Sequence, residues 1–233
     1  MDTQKSHWET SYARRQNFVF YPHEEVIRFI SKHIRKRIGL HEFQDISANK
    51  GDRPIRLLDL GCGIDRHVVY GIEMGLEAYG IDLSEKAVVI ARQWAGEMGV
   101  IKPEKFILAG DIRSLPWEAE YFDCAVSHGV LDSMHFDIAK DSCKEMHRVL
   151  RPGGLFYCDL ISGDDTSHSR EYSGEEIVGA EHERGTIQSY FNFEKILKLI
   201  GTAFSLVECR LIRMEDVVKG GFISRYHLIL KRQ

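Results

Sequence analysis

Residues 57–65 read LLDLGCGID, and Asp82 closes the next apolar run at 76–81. A short run of aliphatic residues ended by glycines reads as a buried strand that hands over to a tight turn. Gly61 and Gly63 carry no side chain, so a ligand can approach the backbone closely there. A helix starting near Arg66 would point free N–H groups at the same place. One helix and one strand later, Asp82 stands where a carboxylate can accept both hydroxyls of a ribose. Dinucleotide enzymes share this layout, but their fingerprint is Gly-x-Gly-x-x-Gly, and the sixth position here is Arg66. No second βαβ half built for another nucleotide follows.

Outward from this motif, β-like runs alternate with amphipathic helical stretches, the pattern of a parallel sheet with crossover helices. Strands are expected at 55–60, 76–81, 105–109, 122–127 and 155–160. Helices are expected at 67–74, at 85–98 with Ser84 as N-cap and Glu85 in the first turn, and at 139–150. Arg151-Pro152-Gly153-Gly154 reads as a sharp break. After a polar stretch at 161–185 come a helix at 194–200, with Asn192 as N-cap, and strands at 204–212 and 222–230. The link between these two strands is short enough for antiparallel pairing. Ahead of the core lie an aromatic segment (Trp8, Tyr12, Phe18, Phe20, Tyr21), a helix at 23–38 and a turn-rich linker at 39–54.

In order and at familiar spacing, LLDLGCG, GIDLS, AGDIRSLPW, FDCAVSHGVLDSM and HRVLRPGGLFYCDL resemble class I S-adenosylmethionine-dependent methyltransferases. The likeness covers about residues 55–160 and extends loosely to HWETSY near the N-terminus. It implies an α/β fold: a Rossmann-like, seven-stranded, mostly parallel sheet with helices on both faces and an antiparallel last strand. It also implies S-adenosylmethionine as cofactor. By position, Asp59, Gly61, Cys62 and Gly63 would form the loop beside the methionine portion, and Asp82 would hold the ribose. Leu83 would pack on the adenine, Asp111 would accept from its amino group, and the Ile112 N–H would meet a ring nitrogen. Ser127 and His128 would lie near the sulfonium and the acceptor. Trp8, Tyr12 and Arg14 would cover the cofactor, with Arg14 pairing its carboxylate. Residues 1–233 would form one domain: an N-terminal cap (1–54), a cofactor-binding core (55–160), a substrate-side insertion (161–192) and a C-terminal helix and strand pair (193–233). Cap and insertion would close over the pocket as a lid. One residue departs from the family: Asp65 stands where a third glycine is common. It either caps the helix at Arg66 or repels the methionine carboxylate.

Methyl transfer from a sulfonium is an in-line displacement, so much of its rate comes from holding the acceptor close and aligned. A base is needed when the acceptor arrives protonated, and His128, directly after a core strand, is the best-placed candidate. It could equally only shape the pocket. Asp59, a strand-end acid in an apolar run, is expected to have hydrogen-bond partners, because burying it alone is costly. Asp132, His135 and Asp137 suit a divalent ion by type, but no second cluster and no His-Glu-x-x-His accompanies them, so no metal is assigned. Acceptor contacts are expected from residues 12–22 and from Asp164, Asp165, Tyr172, His182, Arg184 and Tyr190, unless that insertion is a mobile surface loop.

The 233 residues carry a formal net charge of −4, without the basic stripe of a general nucleic-acid binder. The basic run 32–37 (KHIRKR) reads as the solvated face of a helix whose apolar face is Val26, Phe29, Ile30 and Ile34. At the fourth core strand stand Ser127-His128-Gly129-Val130, not the Asn-Pro-Pro-aromatic tetrapeptide that the family uses on nucleobase amino groups. The five cysteines are scattered with no Cys-x-x-Cys, a reduced-compartment pattern. Neither a leader-like apolar segment nor a membrane-length apolar run is seen. The expectation is a cytoplasmic monomer or homodimer that methylates oxygen or nitrogen of a small molecule, with no nucleic-acid or membrane partner. Competing readings are a nicotinamide-dependent oxidoreductase and a non-catalytic cofactor-binding module in which Asp65 marks a degenerate loop.

Overall fold

A computed structural model of the chain describes residues 2–46 and 53–233, without the side chains of residues 2, 3 and 182. Part of the expected linker, 47–52, and the His182 side chain therefore lie outside the described residues. In chain order the elements are α1 (Asp2–Ala13), α2 (Glu24–Phe29), β1 (Arg35–Arg37), β2 (Phe43–Asp45), β3 (Arg56–Leu60), α3 (Arg66–Glu73), β4 (Glu77–Asp82) and α4 (Glu85–Glu97). There follow β5 (Ile107–Ala109), β6 (Phe122–Ser127), α5 (Phe136–Val149), β7 (Leu150–Ile161), β8 (Glu175–Ile177), β9 (Ile187–Ser189), α6 (Phe193–Ile200), β10 (Phe204–Glu215) and β11 (Phe222–Arg232).

Seven strands form one sheet in the order β10-β11-β7-β6-β3-β4-β5. Strands β3 to β7 run parallel, and β11 alone is reversed, slotted between β7 and β10. This is the expected α/β sheet with its antiparallel last strand. The core strands are nearly continuous apolar runs because both faces are covered. Successive residues serve opposite faces: Leu58 and Leu60 join the layer of α5 and α6, and Leu57 joins the layer of α2, α3 and α4. On β7, Phe156 and Cys158 face the first layer and Tyr157 the second. Ser84 and Asn192 cap α4 and α6, accepting from the N–H groups of Ala87 and Lys195.

Three local readings need correction. The helix expected at 23–38 stops at Phe29, continues as a π-helical turn (Ile30–Ile34) and then extends as β1, which pairs with β2. Its apolar face is buried as expected, and Lys32, Lys36 and Arg37 are exposed as expected, though two of the basic residues also make ion pairs. Lys32 meets Glu208 at 3.1 Å, and Arg35 meets Asp45 at 2.5 Å. Arg151–Gly154 is not a break before a strand: β7 begins at Leu150 and absorbs these residues as a bulge, with Leu150 opposite Phe122 and Leu155 opposite Cys124. The aromatic N-terminal segment is helical as α1. Its near-absence of an apolar stripe hid it, because only Trp8 and Tyr12 mark a face.

The insertion is built rather than loose. Strands β8 and β9 pair antiparallel, and the Lys195 ammonium ties the hairpin to α6 by donating to Ser173 O, Ser189 Oγ and Tyr190 O at 2.8–2.9 Å. Helix α1 sits beside α4 through Lys5–Glu85 at 2.6 Å and the Glu85 N–H donating to Glu9. It also meets the insertion where the His7 ring abuts Gly185. The N-terminal segment and the insertion thus flank one end of the sheet.

Candidate cofactor and acceptor site

Strand β3 has its chain successor β4 on one side and β6 on the other, so the strand order reverses there. Open α/β sheets bind ligands in the crevice at the carboxyl ends of such strands. A cavity of about 610 Å³ opens at this place. The glycines of the turn are obligatory. At Gly61 (φ +72°) a Cβ would lie 2.5 Å from a Val130 methyl, and at Gly63 (φ +56°) 2.6 Å from the Tyr12 hydroxyl. Asp82, on the same wall, takes the Gly63 N–H on Oδ2 and the Ser84 N–H on Oδ1, both at 2.8 Å. Each oxygen keeps a lone pair for a further donor. Burial pushes the Asp82 carboxyl up to about 6 against the pull of those two N–H groups. A glycine turn on the cavity wall beside a buried carboxylate with acceptor capacity to spare would suit the ribose and methionine portions of S-adenosylmethionine.

Leu83, Cys62 and Ile112 line the cavity as expected, as do Trp8 and Tyr12, one helical turn apart on α1. Asp111 is also on the wall, but Arg113 grips its carboxylate through Nε at 3.0 Å and a terminal nitrogen at 2.6 Å. That pairing holds the acid below its usual range. Three expected residues do not reach the cavity wall. Arg14 follows the end of α1 and is exposed, two residues past Tyr12 and so on another face. Ser127 is 1% exposed and its hydroxyl has no partner among the described residues. Asp59 is buried beneath the loop, where its Oδ2 faces His67 Nδ1 at 3.5 Å as an ionic neighbour, without a hydrogen bond on that oxygen.

Asp65 follows neither of its two expected roles. It sits at the N-cap position of α3 with φ +79°, but its side chain makes no capping bond. The carboxyl turns into the protein, where its Oδ1 and the Cys62 sulfur both press on the bare Cα of Gly80. Asp65 is 0% exposed, and neither oxygen has a hydrogen-bond partner among the described residues. Burial pushes this acid well above the carboxylate range. It is not on the cavity wall, so it is not placed to repel a cofactor carboxylate.

His128 stands on the wall at the end of β6. Its Nδ1 lies 3.0 Å from an Arg66 guanidinium nitrogen and its Nε2 lies 3.5 Å from Asp159 Oδ2. Guanidinium only donates, so Nδ1 holds the lone pair and the ring proton sits on Nε2, facing the carboxylate. His23 lies against the ring at 4.0 Å with the planes tilted by 38°, and His67 meets it edge-on at 5.7 Å. Burial lowers His128 to about 3, so the imidazole is neutral. Behind it, Arg225 bridges Asp159 at 2.7 Å and Asp132 at 2.5 Å. Burial opposes the Asp159 charge, and Arg225, His128 and the Gly129 N–H together hold its pKa down nonetheless. Asp132, His135 and Asp137 do not converge: Asp132 faces Arg225, His135 pairs with Glu175, and Asp137 lies near Lys140.

Methyltransferase domains, as a family, match residues 58–158. Residues 58–158 thus carry a core similar to that of the class I S-adenosylmethionine-dependent methyltransferases. Among relatives, a ubiquinone biosynthesis O-methyltransferase of Sinorhizobium medicae is 30% identical over 131 residues, 56% of this chain and 50% of that one. A sterol 4-C-methyltransferase of Caenorhabditis elegans is 27% identical over 64% of this chain and 43% of its own. The chain spans about half the length of the curated relatives it matches. The fold agrees with a methyltransferase structure from Methanosarcina mazei, with a TM-score of 0.62 and 21% identity over 76% of this chain and 92% of that one. From the expected stretch 12–22, Tyr12, Asn17 and Val19 line the wall, whereas Gln4, Arg66, His67 and Val130 are wall residues that sequence reading does not single out. The spacing of Gln4 to Trp8 and Tyr12, one turn each, was a signal for Gln4. No helix among the described residues is long and apolar enough to cross a membrane.

Proposed function

We propose that the chain transfers the methyl group of S-adenosylmethionine to an oxygen or nitrogen of a small-molecule acceptor, with His128 as the base. The carrying observation is His128 on the wall of the cavity that the glycine turn and Asp82 share, with the buried Asp159 3.5 Å behind its Nε2. The cofactor supplies a sulfonium methyl group open to in-line displacement. The turn at Gly61 and Gly63, with Val130 and Tyr12 packed on it, borders the methionine portion, and Asp82 receives the ribose hydroxyls. Leu83 and Ile112 offer apolar contact on the adenine side. Trp8 and Tyr12 of α1 exclude water from above. A neutral imidazole with its lone pair on Nδ1 can take a proton from a hydroxyl or ammonium, and Asp159 then faces the imidazolium through Nε2–H.

Calorimetric titration with S-adenosylhomocysteine, with NAD as control, tests the cofactor. Micromolar binding, about −8 kcal/mol, with NAD inert is the expected result; no response to S-adenosylhomocysteine refutes the reading and leaves a non-catalytic fold. Screening phenols, hydroxy acids and amines with labelled methyl donor then tests His128. His128→Ala should lower turnover about 100-fold with S-adenosylhomocysteine affinity kept. Equal loss of both would make the ring a packing element.

A further inference from the structure

Arg113 on the cavity wall is neutralised by Asp111 at 2.6 Å, and His135 is paired with Glu175 at 2.6 Å. Arg66 on the same wall is different. Its half-buried guanidinium reaches His128 Nδ1 at 3.0 Å, and among the described residues no carboxylate forms an ion pair with it. Asp59 and Asp159 act on it only from beyond contact range, and burial works against its charge; a cation held so, partly out of water, is costly to keep. A guanidinium fork in that state is a receptor for a planar anion, which it grips through two parallel hydrogen bonds.

Building on the methyl-transfer reading above, we propose that the acceptor is a small carboxylic acid bearing the hydroxyl or amine to be methylated. Its carboxylate docks on Arg66 and releases His128 Nδ1 to act as the base. The lone pair that must receive the proton is held by the Arg66 N–H at 3.0 Å, so the base is masked. An anion draws the guanidinium to itself. Its charge also offsets the cation that disfavours a proton on the ring. The groups facing the imidazole are then Asp159 from β7, His67 and the neutralised Arg66 from α3, and His23 ahead of α2. For a hydroxyl acceptor, the oxygen bonds to the methyl carbon as the carbon–sulfur bond breaks with its electron pair going to sulfur. The hydroxyl proton passes to Nδ1. Because the anion site adjoins the base, a neutral analogue of the same acceptor would find the base still masked.

The test is nitrogen NMR of the His128 ring in the S-adenosylhomocysteine complex, titrated with acetate and, separately, acetamide. The His128 signals are assigned by their loss in His128→Gln. Acetate should shift the Nδ1 signal saturably while acetamide leaves it in place. Arg66→Gln should weaken the acetate response at least tenfold, and Arg66→Lys, which keeps charge without the fork, should fall between. No acetate response in the wild type, or the same response in Arg66→Gln, overturns the proposal. So does an Arg66→Gln protein that loses affinity for S-adenosylhomocysteine but not for 5′-methylthioadenosine, which lacks the amino-acid end. The guanidinium would then serve the cofactor carboxylate. Failure of the methyl-transfer reading looks different: S-adenosylhomocysteine does not bind the wild type, and the acetate response is measured on the free protein.

Discussion

Replacing Asp65 by glycine should stabilise this protein. The wild-type residue carries two burdens: a left-handed backbone at φ +79° and a fully buried carboxyl with no hydrogen-bond partner among the described residues. A non-glycine residue in that region costs ~1 kcal/mol, and an unsatisfied buried polar group costs ~2 kcal/mol. Against these, glycine adds ~1 kcal/mol of chain entropy to the unfolded state, and the space vacated beside Cys62 and Gly80 costs ~1 kcal/mol. The balance favours Asp65→Gly by about 1 kcal/mol, which raises Tm by roughly 2–4 °C for a chain of this size. Thermal unfolding followed by near-ultraviolet circular dichroism reads this directly. A pH series sharpens it. The folded chain holds the Asp65 proton above the ordinary carboxylate range, while the unfolded chain releases it as pH rises. Wild-type stability therefore falls with rising pH through that window, and the glycine variant lacks that component. Because the carboxyl points away from the cavity, S-adenosylhomocysteine affinity should stay within about twofold. A variant that melts below the wild type, or that binds the cofactor product tenfold more weakly, would refute this account of Asp65.

Two further outcomes follow from the same geometry. Asp82 is raised to about 6 by burial, and ribose hydroxyls need its charged form. At pH 5 roughly one molecule in ten carries that charge, so S-adenosylhomocysteine affinity should fall about tenfold from its value at pH 8. Asp82→Asn should bind more weakly with a flatter profile, and a flat wild-type profile would remove Asp82 from the site. The sign for folding is opposite. The folded chain keeps a proton that the unfolded one releases from about 3.8 upward, so this group costs stability as pH rises to about 6. Arg225→Met leaves Asp132 and Asp159 buried without their shared cation, and should destabilise by about 3–5 kcal/mol. Denaturant unfolding measures this, and adding Asp132→Asn should recover part of the loss. A loss under 1 kcal/mol would show that solvent reaches the pair.

The strand, glycine turn and Asp82 were readable in the sequence because each depends on neighbours in the chain. A buried strand needs an apolar run, a close turn needs residues without Cβ, and a carboxylate at the next strand end lands beside that turn whatever surrounds it. The caps Ser84 and Asn192 were equally local. Misplaced elements failed where tertiary pairing overrode local pattern. Residues 35–37 carry a helical periodicity yet extend to pair with Phe43–Asp45. Arg151–Gly154 reads as a break yet is absorbed by a strand paired on both sides.

The electrostatics of the site were not legible, because charges meet across distances that no spacing rule encodes. Arg225 lies 93 residues from Asp132 and 66 from Asp159, and Arg66 lies 62 from His128. The sequence by itself determined the sheet, the cofactor turn and the family likeness. Only the tertiary structure decided that Asp65 turns inward, that Arg14 stays outside, and that Arg66 meets His128. Backbone order is fixed by burying apolar surface, which a linear pattern records. Charge compensation depends on which side chains the completed packing leaves face to face.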